Sequence, residues 1–177
     1  TLTLQNRCLE CLERTPHFAD TVIGKEQPEI NISPTGGQRQ KGIAEINQMS
    51  PVERMEFWLR QFDRCIRCYA CRQACPVCDC PTCLYERDDS LWVGAALGWE
   101  GVGLNEKRAF HLGRAYHLAG RCIGCDECER ACPMEIPISY LNQRIAEEVA
   151  TLFGHQAGRT PKPSPFVTIL SGEEVVP

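Results

Sequence analysis

Thirteen of the 177 residues are cysteine, and seven of them fall in CIRCYACRQACPVCDCPTC, residues 65–83. Thiolates are soft ligands, so this spacing asks which soft metal unit it suits. The frame C-x2-C-x2-C-x3-C-P occurs twice, in RCIRCYACRQACP (64–76) and RCIGCDECERACP (121–133). Two-residue gaps let one tight loop present three thiolates to three corners of an iron–sulfur cube while backbone amides point at its sulfurs. The fourth cysteine, followed by proline, belongs to the other cluster in two-cluster arrangements of this spacing. The expected ligand sets are therefore Cys65, Cys68, Cys71 and Cys132 for one [4Fe–4S] cluster, and Cys122, Cys125, Cys128 and Cys75 for a second. Four-thiolate zinc sites pair two C-x2-C units across a longer loop. They have no need of three successive cysteines and a trailing Cys-Pro, twice.

Five cysteines are left over: Cys8, Cys11, Cys78, Cys80 and Cys83. PVCDCPTC supplies three close thiols, and the N-terminal CLEC can complete a set of four. A third [4Fe–4S] cluster is expected on Cys78, Cys80 and Cys83, with Cys8 or Cys11 as fourth ligand. A zinc site from the two C-x2-C pairs is the alternative. Arg67, Arg72, Arg121 and Arg130 are candidates to offset the charge of anionic clusters, against the plainer reading of solvated helix faces. Ile66 and Ile123, between ligands, are expected to shield the clusters from water.

Disulfides fit poorly, because the cysteine count is odd and two-residue gaps cannot sensibly cross-link. The sequence opens without an apolar signal-like segment, so a reducing, cytoplasmic setting is expected. A net charge of −4 and a pI near 5.6, without a basic stripe, argue against nucleic-acid binding. No run approaches the roughly 18 apolar residues of a membrane span. GWEGVG (98–103) has the wrong glycine order for a dinucleotide turn and no strand before it. His17, His111, His117 and His155 show no ligand or triad spacing, and Glu147 and Glu148 are adjacent on a helix rather than a dyad. No catalytic site of the chain's own is expected.

These ligands have to be positioned by few elements. Ser50, Pro51 and Glu53 form a capping-box start, so a helix is expected over 51–63, with Val52, Met55, Leu59 and Phe62 on its apolar stripe. It leads directly to Cys65. A second helix is expected over 105–119, stopped by Gly120 and leading to Cys122. A third, over about 139–153, carries Leu141, Ile145, Val149 and Leu152 on one stripe and stops at Gly154. The expected class is mainly α with much irregular structure. Residues 1–49 read as an extended N-terminal arm with its CxxC, 50–155 as the duplicated core and 156–177 as an extended C-terminal arm. Pro161, Pro163 and Pro165 exclude a helix from that second arm in this reading.

The 46 residues between Cys75 and Cys122 and the helix entering each motif resemble the α-helical ferredoxins of heterodisulfide reductase and succinate dehydrogenase iron–sulfur subunits. The resemblance covers roughly residues 50–155. Both cysteine-rich stretches are similar to the small iron–sulfur electron-transfer subunits associated with formate dehydrogenases, hydrogenases and heterodisulfide reductase-like complexes of anaerobes. Within that group, the size, N-terminal C-x2-C and Pro-rich tail resemble the small subunit of tungsten-containing class II benzoyl-CoA reductase. The resemblance implies three [4Fe–4S] clusters and relay of low-potential electrons to or from a larger catalytic subunit of tungsten or molybdenum type. It also implies a ferredoxin or similar electron carrier as the other partner. A free-standing polyferredoxin, and an iron–sulfur sensor or zinc interaction module, are the alternative readings.

Overall fold

A computed structural model describes residues 19–21, 23–24, 38–87, 103–160 and 162–168. These consist of helices, turns and irregular loops, with no strand among the described residues. The chain divides into two compact units, 1–48 and 49–177. In the first, helix α1 spans Gln38–Gln48 and buries Ile43 and Ile46. The expectation of an extended arm fails over this stretch. The turn-forming Pro and Gly signals end at Gly37, and QRQKGIAEINQ holds one glycine among good helix formers.

In the second unit, helix α2 (Pro51–Asp63) has the expected bounds. The Glu53 amide donates to the Ser50 hydroxyl at 3.3 Å and the Ser50 amide to the Glu53 carboxylate at 2.9 Å, with Pro51 opening the helix. Its inward face differs from the expected stripe. Phe62 is buried and stacks on Trp58 at 5.9 Å, whereas Val52 and Met55 are exposed. Aromatic area outweighs aliphatic spacing here, because Trp58 and Phe62 remove more surface from water than Val52 and Met55 would.

Helix α3 (Ala70–Gln73) carries Cys71, and a single 3-10 turn (Leu84–Glu86) follows Cys83. Helix α4 spans Leu104–Leu118, α5 spans Glu127–Arg130 and carries Cys128, and α6 spans Ile138–Phe153, ending on left-handed Gly154. Helix α2 packs on α4, α4 on α6, α3 on α5, and α5 on α6. The core joins Phe62, Tyr85, Phe110, Ile136 and Ile138 to Cys65, Cys71 and Cys128. Phe110, 1% exposed, meets Tyr69 and Tyr85 edge-on at 5.4 and 5.6 Å. On α6, Val149 is buried as expected, but Leu152 is 71% exposed and the polar Ser139 and Asn142 are buried instead.

The Pro-rich tail is not wholly extended. Helix α7 spans Pro165–Thr168, because proline is acceptable at the first helical position, where its missing N–H has no partner to lose. Ahead of it the chain folds back. His155 Nε2 lies 2.9 Å from the Gly120 carbonyl, Ser164 donates to the Ala119 carbonyl at 3.4 Å, and Phe166 meets Phe153 at 5.7 Å.

Gly113 lies where α4 passes under Tyr85. A Cβ there would sit 1.8 Å from Tyr85 Oη, and the ring cannot swing freely because it rests on Phe110. Alanine would add about 1 kcal/mol of helix propensity, but overpacking costs about 1–3 kcal/mol. Gly113→Ala is expected to lower stability in thermal unfolding, and adding Tyr85→Phe to recover part of the loss. A Gly113→Ala chain as stable as the parent would contradict this close approach.

Candidate metal centre

The duplicated cysteine frame folds into two copies of one loop. In the first, Arg67 and Tyr69 take left-handed conformations (φ 51° and 58°) before α3. In the second, Gly124 and Asp126 occupy the matching positions (φ 68° and 59°) before α5. This turn directs a backbone amide back at the first thiol of each motif. The Arg67 amide donates to Cys65 Sγ at 3.3 Å, and the Gly124 amide bonds the Cys122 thiol likewise. A non-glycine residue in this region is uncommon, and Arg67 and Tyr69 are held there by tertiary bonds. The Arg67 guanidinium donates to the Tyr85 carbonyl at 2.8 Å and to Tyr69 Oη at 2.5 Å, and Tyr69 Oη donates to the same carbonyl at 2.6 Å.

Cys65, Cys68, Cys71 and Cys132 line one cavity, with Ile66, Tyr69, Phe110, His111 and Ile138 in its wall. Cys122, Cys125, Cys128 and Cys75 line a second, with Ile123, Leu118, Ser139 and Asn142. In both, the trailing cysteine of one motif joins the leading three of the other.

The arginine that precedes each motif reaches across to the other. Arg64 donates to the Met134 carbonyl, two residues past Cys132, at 2.5 Å. Arg121 pairs with Asp79, four residues past Cys75, at 2.9 Å. Each arginine thus ties the first ligand of its own motif to the chain just beyond the borrowed ligand. Both are visible in the sequence as the shared Arg of the repeat and among the basic residues crowding the cysteine motifs.

A third cavity is lined by Cys78, Cys80 and Cys83 together with Arg72, Arg114, His117 and Arg121. Cys8 and Cys11 lie outside the described residues. No group of three or more His, Cys, Asp or Glu among the described residues could hold a single metal ion. Thiols ringing a cavity suit a polynuclear cluster better than one ion, whose donors must converge within bonding distance of one point.

Of the four arginines expected to offset cluster charge, three are paired with carboxylates. Arg72 pairs with Glu86 at 3.1 Å and also donates to the Cys80 carbonyl, Arg121 pairs with Asp79, and Arg130 pairs with Glu127. Arg130 is exposed and lines none of these three cavities. Arg67 is buried beside the first cavity. Ile66 and Ile123 border the cavities as expected, but are 43% and 55% exposed, so they cover them only in part.

Two residues that no motif placed at a cysteine site come from α4. His111 lines the first cavity, stacks on Phe62 at 4.7 Å, and neither ring nitrogen has a hydrogen-bond partner. Burial, with Arg114 and Arg67 nearby, lowers its pKa to about 4, so the ring is neutral at physiological pH. Arg114, one turn on, is buried among thiols of both motifs. Burial works against its charge, but Cys71, Cys78, Cys128 and Cys75 more than offset this and raise its pKa. Helical spacing alone gave no sign that this face of α4 turns toward the cysteines.

Burial pushes the Cys71 thiol up to about 11 and Cys128 up to about 12, against the pull of Arg114. Cys75 falls to about 5, first because Cys78 hydrogen-bonds it, and that contact with burial pushes Cys78 up. Most of these thiols therefore carry protons until a metal displaces them. The residues fit anionic clusters. Eight thiols ring two cavities, amides point at sulfur, the His111 ring nitrogens are buried without a partner, and the Arg114 side chain reaches the Cys75 and Cys78 thiols.

Residues 64–137 match the family model of the 4Fe-4S dicluster domain. The chain is 33% identical over 108 residues to the F420-dependent formate dehydrogenase subunit beta of Methanocaldococcus jannaschii, covering 59% of this chain and 26% of that protein. It is 34% identical over 104 residues to the F420-dependent formate dehydrogenase 1 subunit beta of Methanococcus maripaludis, covering 59% and 25%. The chain spans about a quarter of the length of these curated relatives. No helix among the described residues is long and apolar enough to cross a membrane. The doubled cysteine frame and its two matched loops agree with the match of residues 64–137 to the 4Fe-4S dicluster domain model.

Proposed function

We propose that the chain is an electron-transfer subunit that relays low-potential electrons to or from a larger catalytic subunit. The observation that carries this reading is the contact between the two short helices bearing Cys71 and Cys128. It brings one ligand of each set together, so an electron on either centre has a short protein path to the other. The ligand sets are Cys65, Cys68, Cys71 and Cys132, and Cys122, Cys125, Cys128 and Cys75. When bound, each [4Fe–4S] cluster accepts or gives up one electron. The chain's own residues hold the cubes side by side, point amides at sulfur and wall off one flank with Phe110, Tyr69 and Ile138.

Cys78, Cys80 and Cys83 hold a third [4Fe–4S] cluster, with Cys8 or Cys11 as fourth ligand. Their cavity and its basic lining support this reading. The catalytic partner is an oxidoreductase subunit of the formate dehydrogenase class, or a tungsten subunit of the class II benzoyl-CoA reductase type. A ferredoxin or similar carrier serves the other end of the relay, and the setting is cytoplasmic. The domain plan is an arm over residues 1–49, a core over 50–155 and a tail over 156–177.

Anaerobic purification from the native host, with metal analysis, tests the whole reading. About 12 irons per chain, no turnover by the isolated chain, and a co-purifying larger oxidoreductase subunit are expected. About 8 irons would remove the third cluster, and zinc in place of iron would overturn the relay. A stable iron-loaded monomer with no partner would favour a free-standing polyferredoxin.

A further inference from the structure

Arg114 is 4% exposed. Its Nη2 donates to the Cys71 carbonyl at 2.8 Å, while Nε and Nη1 are buried with no hydrogen-bond partner at bonding geometry. Among the described residues no carboxylate pairs with it. Its electrostatic partners are thiols of both ligand sets: Cys71 from the first, Cys75 and Cys128 from the second, and Cys78 beside the third cavity. A buried guanidinium without a counter-ion is costly, because desolvation penalises the charge and its unmet donors alike. Arg72, Arg121 and Arg130 avoid that cost through Glu86, Asp79 and Glu127. Among the described residues Arg114 has no such carboxylate, and its largest favourable electrostatic partners are thiols.

We propose that Arg114 is a positioning residue shared by both clusters, its one fixed charge set between the two ligand sets so that it governs both potentials together. The inference rests on the two-cluster ligand assignment above. Its Nη2 anchors on the Cys71 backbone, and its side chain lies against the Cys75 and Cys78 thiols and lines the third cavity; hydrogen bonds and charge near the sulfurs tune such potentials. Because the charge acts on thiols of both sets, it favours the reduced state of each.

The test uses the full chain with its clusters loaded anaerobically, read by iron content and by redox titration followed by electron paramagnetic resonance. Arg114→Gln is expected to retain about eight irons in the two core clusters and to move both midpoints negative. At the parent's midpoint the reduced-to-oxidised ratio should fall at least tenfold, about 59 mV for a one-electron couple. Arg114→Lys keeps the charge and should stay within about threefold of the parent at both centres, by the same conversion. Arg130→Gln serves as the control and should shift neither.

Unchanged potentials in an iron-replete Arg114→Gln chain, or a shift at one cluster alone, would overturn the proposal. If Arg114→Gln fails to load, Arg114→Lys decides: loading with near-parental midpoints supports the proposal, and failure to load rejects it. Absence of two cubes' worth of iron from the parent would instead sink the ligand assignment itself.

Discussion

Cys132→Ser is expected to abolish the same cluster as Cys68→Ser, although Cys132 belongs to the other sequence motif. Likewise Cys75→Ser should match Cys125→Ser. The reason is geometric. Cys132 shares a cavity with Cys65, Cys68 and Cys71, and Cys75 shares one with Cys122, Cys125 and Cys128. Arg64 and Arg121 tie each borrowed cysteine's segment to the motif that borrows it. Each serine variant should lose up to four irons, or retain a cluster with a changed magnetic resonance signature. The discriminating readout is which signal changes. If Cys132→Ser altered the signal that Cys125→Ser alters, the clusters would be local to each motif and the crossed assignment would fail.

Removing the iron with a chelator and an oxidant is expected to abolish cooperative thermal unfolding of residues 49–177 and to lower helical content. Among the described residues only Phe62, Phe110, Leu118, Ile136 and Ile138 are large side chains under 2% exposed. The core cluster also contains Tyr85 and the three thiols of Cys65, Cys71 and Cys128. Those thiols carry raised pKa values through burial, with Cys71 at about 11 and Cys128 at about 12. A metal that binds them as thiolates therefore contributes its binding energy directly to folding, and the contribution weakens as pH falls and protons compete. Circular dichroism during chelation at pH 8 and pH 6 measures both effects, with faster loss of structure expected at pH 6. An iron-free chain melting at the parent's temperature would show that the aromatic core suffices.

Much of this was legible in the residues. The grouping of eight cysteines around two cavities was expected from C-x2-C-x2-C-x3-C-P, because that spacing admits few geometries. The capping box and Pro51 gave helix α2 its bounds, and Gly154 gave α6 its end, since caps are local hydrogen-bond chemistry. The less legible elements depend on contacts distant in sequence. Helix α7 was excluded by counting prolines, yet Pro165 is its first residue, where proline is tolerated. Val52, Met55 and Leu152 were placed inward by spacing, but they are exposed because Trp58, Phe62 and Val149 set the inward faces.

The arginines mark the same divide. Arg67, Arg72, Arg121 and Arg130 drew attention because they are near cysteines in the chain, yet three of them meet nearby carboxylates. Arg114 is 43 residues from Cys71 and still donates to its carbonyl. By itself the sequence determined the chemistry, because a tight loop of thiols specifies its metal within a few residues. Only the tertiary structure decided which charge that chemistry meets, because a buried electrostatic field is assembled from helices that pack across the chain.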